Sequence, residues 1–577
     1  MIGLPLDDSS RKQIFKKKNV ILGLSALALL IVLLGTNIVG YLKILFQSTG
    51  DKSICPVFEV KRPSTFVNDN STVNLIIQDE KFRLLSVQKL AGAVQVDTQI
   101  GDNQPDVPDA PEKWTQFKKF HKYLQKTFPT VYENLEVETV NTYGLVFYWK
   151  GSNSKLKPVM LTAHQDTVPV QKDTLNDWTY PPFDGHYDGE FIYGRGVADC
   201  KNVLVAILES FELLLENGFK PERGVIASFG FDEEASGVRG ASNLGKYLEN
   251  TFGRDSIYAI IDEGPGLMED PFSGQIVAMA GTGEKGYLDI EVELTAPGGH
   301  SSMPPDHTTI GIMSEIGYLI ERDPFQPILT TENPILNYLQ CAAVHSKKMP
   351  SLTKKTILRA GFDKLANSKV LKSLQANNIT RYLVETSQAL DIIQGGEKAN
   401  ALPEDVKLLV NHRVAIESNY DEVKDHFADR LIQVAKDHGL GLNAFGKKII
   451  PDLPKGNLYL RIFSQPLNPA PVSPLNDKVW EYLAGVTRHI FEDYVYPDLP
   501  YPIVLTPGMM TGNTDTRHYW NLTRNIFRYT PFFSKDVMHE TNIHSVDEKL
   551  RFDSHLQLLA FFYEYIQTVN TPSADNK

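Results

Sequence analysis

Cysteine is scarce in this chain. Three residues, Cys55, Cys200 and Cys341, are spread over 577 positions, which excludes a disulfide-built scaffold and leaves a Cys55–Cys341 bridge as a pairing that spacing does not decide. Positive charge is short as well: 58 Lys and Arg stand against 70 Asp and Glu, a net charge of −12. Phosphate backbones need a basic face, and no long Lys/Arg cluster occurs beyond the N-terminus, so nucleic acid is excluded as a partner. Long apolar runs are missing too, apart from one uncharged stretch, residues 19–42.

What is present is ordinary globular composition, 42% hydrophobic and 22% charged, with length for two or more domains. The 19–42 run exceeds the roughly 20 apolar residues that cross a bilayer as a helix. Arg11, Lys12, Lys16, Lys17 and Lys18 precede it and Lys43 closes it. This charge bias predicts a cytoplasmic tail (1–18), a single transmembrane signal anchor (19–42) and a lumenal body. A cleaved signal peptide is the alternative; its apolar core usually holds about 7–15 residues, and no small-x-small site follows directly. Residues 43–78, polar with Pro56 and Pro63, read as a stalk. In a lumen the sequons at Asn70, Asn378 and Asn521 become glycosylation sites.

The body opens with helical periodicity at 81–94 and 111–128, whose apolar positions are core. Strand patterns at 145–149, 158–163, 225–231 and 258–261 then alternate with helical ones at 202–216 and 241–250. That alternation predicts a layered α/β domain with a mainly parallel central sheet. From Gly286 the pattern becomes strictly alternating, typical of antiparallel strands with one wet face. We therefore expect catalytic-type α/β segments at 79–284 and 467–577, interrupted by an inserted α+β domain at 285–466 whose middle, 334–387, resists assignment.

Candidate chemistry gathers just past strand ends. Glu233-Glu234 follows a strand, and two adjacent carboxylates there repel and lose hydration unless a cation or a proton compensates. A solvated acidic turn is the bland reading of that pair alone. But His164-Gln165-Asp166, Asp199 and Asp262-Glu263-Gly264 fall at equivalent places, the edge where open parallel sheets build sites. Imidazole plus carboxylates suits zinc, and one shared carboxylate can hold a pair of zincs. A further imidazole is available at His544.

The series His164-x-Asp166, Gly194 to Asp199, Asp232-Glu233-Glu234, Asp262-Glu263-Gly264, Gly298 to Ser302, Asn400 to Pro403, Gly512 to Asp515 and His544 to Glu548 resembles the co-catalytic dizinc peptidase family that contains aminoacylase, glutamate carboxypeptidase and carboxypeptidase S. The resemblance runs from about residue 80 to the end. It implies two zincs per subunit, with Asp199 bridging, His164 and Asp262 completing one site, and Glu234 and His544 the other. Asp166 would orient His164 and Glu233 would be the general base. His300, from a ferredoxin-like lid or dimerisation domain, would be an oxyanion donor that in dimeric relatives reaches across to a second copy. Asn400 and Arg413, with Arg517 as a further candidate, would bind the free C-terminal carboxylate of a short peptide. The anchored carboxypeptidase S branch further implies a vacuolar lumen and a preference for Gly-X peptides. Two alternatives stay open, an N-acyl-amino-acid amidohydrolase and a membrane-tethered binding protein on a dead peptidase fold. Cys200, beside Asp199, reads as a structural thiol.

Overall fold

The computed structural model describes residues 40–64 and 70–575, with Val20, residues 22–25 and Leu27. The expected membrane-spanning run therefore lies largely outside the described residues. Among those, no helix is long and apolar enough to cross a membrane.

The apolar strand runs form a sheet covered by helices on both faces, which is why they read as continuous rather than alternating. Leu145, Phe147, Leu161, Ala163, Ala227 and Phe229 pack into one core layer, and Val146, Met160 and Ile226 into the other, the two-residue period of a strand. The first layer is closed by the helices Asn202–Glu216, Lys478–Ile490 and Phe552–Thr568, the second by Ala241–Phe252.

From edge to edge the strands run Glu136–Val140, Gly144–Trp149, Val225–Gly230, Val159–His164, Ile260–Asp262, Ile526–Arg528, Ile276–Glu284 and Leu505–Met510. Val159–His164 is parallel to both of its neighbours, and Ile526–Arg528 is parallel to Ile260–Asp262. Gly144–Trp149 joins antiparallel, so the sheet is mixed around a parallel middle. The last strand and helices arrive from beyond residue 466, returning the C-terminal part of the chain to this layer.

A second sheet has the order Ser387–Gln394, Asp405–Val414, Gly286–Thr295, Asn457–Ile462, Gly441–Ala444, Lys447–Ile450. Leu288, Ile290, Val292 and Leu294 face the helices Thr309–Arg322 and Tyr420–His438, and the opposite face is wet. The segment that resists assignment forms the helices Pro334–His345, Ser351–Arg359, Lys364–Gln375 and Asn378–Arg381. Their core includes Met509 of the first sheet and is separate from that of the second. Residues 285–466 thus hold more than one packing unit.

The reading of 43–78 as a stalk is corrected. Ile44 is fully buried, Cys55 is disulfide-bonded to Cys341, Lys61 N donates to Gly485 O at 3.0 Å, and Arg62 pairs with Asp493 at 2.6 Å. Polar composition hides this, because ion pairs, backbone bonds and one bridge hold the strap beside a few scattered apolar anchors, Ile44, Val73 and Ile76. The bridge spans 286 positions; closing so long a loop restricts the unfolded chain, so Cys341→Ser should cost about 2–5 kcal/mol. Chemical unfolding of oxidised parent and variant, compared by midpoint and slope, measures it.

Candidate metal centre

Five chain segments meet beyond the carboxyl ends of the parallel strands Val159–His164, Val225–Gly230 and Ile260–Asp262. Val159–His164 ends in an imidazole that is buried, its Nδ1 donating to Asp166 O at 3.0 Å and lying 3.4 Å from Asp166 Oδ1. This fixes the tautomer and leaves Nε2 facing the cluster. Asp166 Oδ1 and Oδ2 also accept from the backbone N of Glu233 and Glu234, at 3.2 and 3.0 Å. One buried carboxylate therefore orients the imidazole and the acidic turn together.

Asp199 occupies the centre. His164 Nε2 is 3.0 Å from its Oδ1, and His544 Nε2 is 3.0 Å from its Oδ2. His544 Nε2 is also 3.3 Å from Glu234 Oε1. The loop carrying Asp199 is held from beneath by Glu548, which accepts from Arg195 Nη1 at 2.6 Å and from the backbone N of Gly196, Ala198 and Asp199 at 3.0, 3.0 and 3.3 Å. Gly196 has φ +83, and a Cβ there would stand 2.2 Å from Thr167 Cγ2, so only glycine fits. Glu548 was quoted in a motif yet had no role from sequence. Its signal is the acid four residues after His544.

The expected ligand Asp262 needs correction. The ligand atoms that lie within 4.8 Å of one another are those of His164, Asp199, Cys200 and Glu263 in one group, and Asp199, Glu234 and His544 in the other. Glu263 Oε2 is 3.6 Å from His164 Nε2. The register explains the exchange: Ile260 and Ile261 pair with Met160 and Leu161, so Asp262 stands level with Thr162, below the edge that His164 occupies. Asp262 is still a strand residue, paired with Arg528; Glu263 is the first residue beyond. Cys200 joins as a buried thiol whose Sγ accepts from His164 N at 3.3 Å.

Carboxylates of Asp199, Glu233, Glu234 and Glu263 crowd here against two imidazoles. Burial, then neighbouring negative charge, pushes Glu233 well up, and burial raises Glu263 to about 8. Hydrogen bonds to Asp199 and Glu234 raise His544 to about 10. Glu234 Oε1 is buried with His544 Nε2 3.3 Å away. Four crowded carboxylates and two imidazoles are short of positive charge, a donor set that fits divalent cations.

Glu233 is set apart from the two ligand groups. Its Oε1 lies 3.8 Å from Arg517 Nη2, and Arg517 Nε donates to Thr514 O at 3.0 Å. Arg413, on a strand of the second sheet, stacks over Tyr287 at 4.9 Å and donates to Asn513 Oδ1 at 3.2 Å. Burial, together with nearby Arg517, lowers Arg413. Arg517 thus stands beside Glu233, and Arg413 lies close enough to Arg517 to feel its charge. His300 does not join them: it is exposed on the short ribbon Gly299–His300/Ala401–Leu402, Nδ1 2.8 Å from Ser302 Oγ. Asn400 is exposed in the adjoining turn, its O accepting from Ser301 N at 3.2 Å. The sequon residues Asn70, Asn378 and Asn521 are all exposed.

Known proteins resemble this chain in sequence and in fold. Carboxypeptidase S of Saccharomyces cerevisiae is 40% identical over a 593-residue alignment covering 99% of this chain and all of that one. The bovine N-fatty-acyl-amino acid synthase/hydrolase PM20D1 is 30% identical, covering 85% of this chain and 88% of its own. Among solved structures, the Saccharomyces cerevisiae dipeptidase Dug1p superposes with TM-score 0.57 at 13% identity over 87% of this chain and 99% of that one. The metallo-carboxypeptidase Sso-CP2 of Sulfolobus solfataricus gives 0.55 at 15% identity, covering 84% and 99%; both likenesses speak to the fold. The model of "Peptidase family M20/M25/M40" matches residues 160–568, and the chain belongs to that family.

Proposed function

We propose that this protein is a zinc-dependent metallo-carboxypeptidase that releases the C-terminal residue of short peptides, Gly-X peptides among them. The observation that supports the reading is the cation Arg517 3.8 Å from Glu233, with Arg413 close to Arg517, next to a paired cluster of candidate metal ligands. His164, Asp199 and Glu263 would hold one zinc, and Asp199, Glu234 and His544 the other. When bound, the zincs supply Lewis acidity that acidifies water and polarises the scissile carbonyl.

The remaining work belongs to the chain. Glu233 takes a proton from the attacking water and returns it to the leaving nitrogen. Asp166 keeps His164 and the Glu233 turn in place. A planar guanidinium grips a carboxylate through two hydrogen bonds, so Arg413, seconded by Arg517, fixes the free C-terminus. His300 makes no contact with the cluster among the described residues; supplied by a second copy of the chain, through pairing of the second sheets, it would donate to the oxyanion. Asn400, beside it, would then meet the substrate carboxylate.

The body resides in a vacuolar lumen behind a single N-terminal anchor at 19–42, with the tail cytoplasmic. The Lys/Arg bias before the run supports this, as does the Cys55–Cys341 bridge, which an oxidising lumen sustains. Asn70, Asn378 and Asn521 would there carry glycans.

A second reading, hydrolysis of N-acyl amino acids, is favoured by the similarity to PM20D1. It uses the same carboxylate clamp with an acyl group in place of the peptide. Zinc-loaded protein offered benzyloxycarbonyl-Gly-Leu and an N-acetyl amino acid in parallel separates them. Leucine release alone supports the first reading, deacetylation alone the second, and silence from metal-loaded protein overturns both. Arg413→Ala should raise KM about 10- to 100-fold for free-carboxylate substrates, the worth of a charged hydrogen-bond pair. C-terminally amidated analogues should be nearly indifferent, and an equal rise on both would remove Arg413 from the carboxylate site.

A further inference from the structure

We propose that the helices Ser351–Arg359 and Lys364–Gln375 form a second, peripheral contact with the membrane, seated on the phosphate-bearing headgroups where the chain emerges; this rests on the reading of residues 19–42 as an anchor. The uncharged run ends at Leu42, and residues 40–45 are helical. They lie against these two helices. A Cβ on Gly40 would stand 3.3 Å from Leu365 Cδ2, and Lys369 Nζ sits 4.9 Å over the Tyr41 ring. Lys355 Nζ donates to Leu45 O, and Arg359 Nη1 donates to Gln47 Oε1.

Depth follows from helix geometry. At a rise of about 1.5 Å per residue, Tyr41 to Leu45 covers roughly 6 Å, comparable to one headgroup layer beside a hydrocarbon core of about 30 Å. Contacts at Gly40, Tyr41, Leu45 and Gln47 therefore hold both helices at headgroup level. The Cys55–Cys341 bridge and the Arg62–Asp493 pair tie the following strap to the body, so the helices stay beside the emerging chain.

Their chemistry suits that depth. Between residues 346 and 375 there are eight Lys and Arg against one acidic residue, Asp363, in a chain of net charge −12. Leu365, Lys369 and Lys372 recur at helical steps of four and three, on the face that meets residues 40 and 41. Large apolar side chains are left in water around this basic field: Phe46 is 85% exposed and Phe362 69%. Lysines that reach phosphates, interleaved with aromatic rings, are the composition of a bilayer interface.

The test uses the full chain with Phe362→Cys carrying an environment-sensitive dye; Cys200 is buried and the other cysteines are bridged. It is reconstituted into vesicles of phosphatidylcholine alone or mixed with phosphatidylserine, with spin-labelled headgroup lipid as quencher. Quenching about threefold stronger on the phosphatidylserine vesicles is expected, and it should fall to the phosphatidylcholine level in Lys364→Glu/Lys369→Glu/Lys372→Glu, whose side chains are exposed. Flotation with either vesicle reports the anchor independently. Protein that floats with its dye unquenched on both lipids overturns the peripheral contact and leaves the anchor standing. Protein quenched on phosphatidylserine vesicles that does not float with phosphatidylcholine overturns the anchor and keeps the contact. No flotation and no quenching overturns both.

Discussion

Glu233→Gln should lower kcat by about 10³- to 10⁴-fold while metal content stays at the parent level. The substitution keeps the shape of the side chain and an oxygen 3.8 Å from Arg517 Nη2, but it removes the group that accepts a proton. Its neighbours argue that the loss is chemical rather than structural. The backbone N of residue 233 bonds to Asp166 whatever the side chain is, and Glu233 is not among the atoms that cluster as ligands. Metal analysis and a kcat measurement on one preparation decide it. A variant that loses zinc along with activity would make Glu233 a ligand and pass the base role to another carboxylate. A variant that keeps most of its activity would remove the general base from the mechanism.

Part of the site was legible because the strands Val159–His164 and Val225–Gly230 are fully buried runs that lead directly into charged residues. Such a run announces both its covered faces and its end. Hence His164 and the Glu233-Glu234 turn stand at one edge of the sheet, whereas Asp199 reaches them from the turn Val197–Lys201, after the short strand Phe191–Tyr193 of a separate two-stranded sheet. His544 arrives from a loop without such a run, and its assignment to a metal site came only from the motif resemblance. Sequence could not assign register. In Asp262-Glu263 two acids stand side by side, and a shift of one position decides which of them is beyond the strand end. The Glu548 cradle was hidden for a related reason, since its partners are backbone N–H groups that carry no side-chain signature. The docked strap and the helices between 334 and 381 escaped because their packing partners, Cys341 for Cys55 and Met509 for the helical core, are remote in the chain.

The exchange of Asp262 for Glu263 yields the other large expected effect. Glu263→Gln should lose about one of the two zincs and cut kcat/KM by 10³-fold or more, because one uncharged amide replaces a carboxylate in a three-group site. Asp262→Asn should keep both metals. Its carboxyl lies in a different buried setting, pushed up to about 7 by burial and by the charge of Glu284, with Oδ2 lacking a hydrogen-bond partner. Behind it Arg528 donates to Glu284 Oε2 at 2.8 Å and to Thr516 Oγ1 at 2.7 Å. An amide there removes an ionisable group without opening a cavity, so its effect should fall on thermal stability by about 1–3 kcal/mol in either direction. Metal stoichiometry by elemental analysis, run on both variants with the parent, separates the two acids. Zinc lost from Asp262→Asn but retained by Glu263→Gln would return the first site to Asp262, and would require the strand to slip by one residue against Val159–His164.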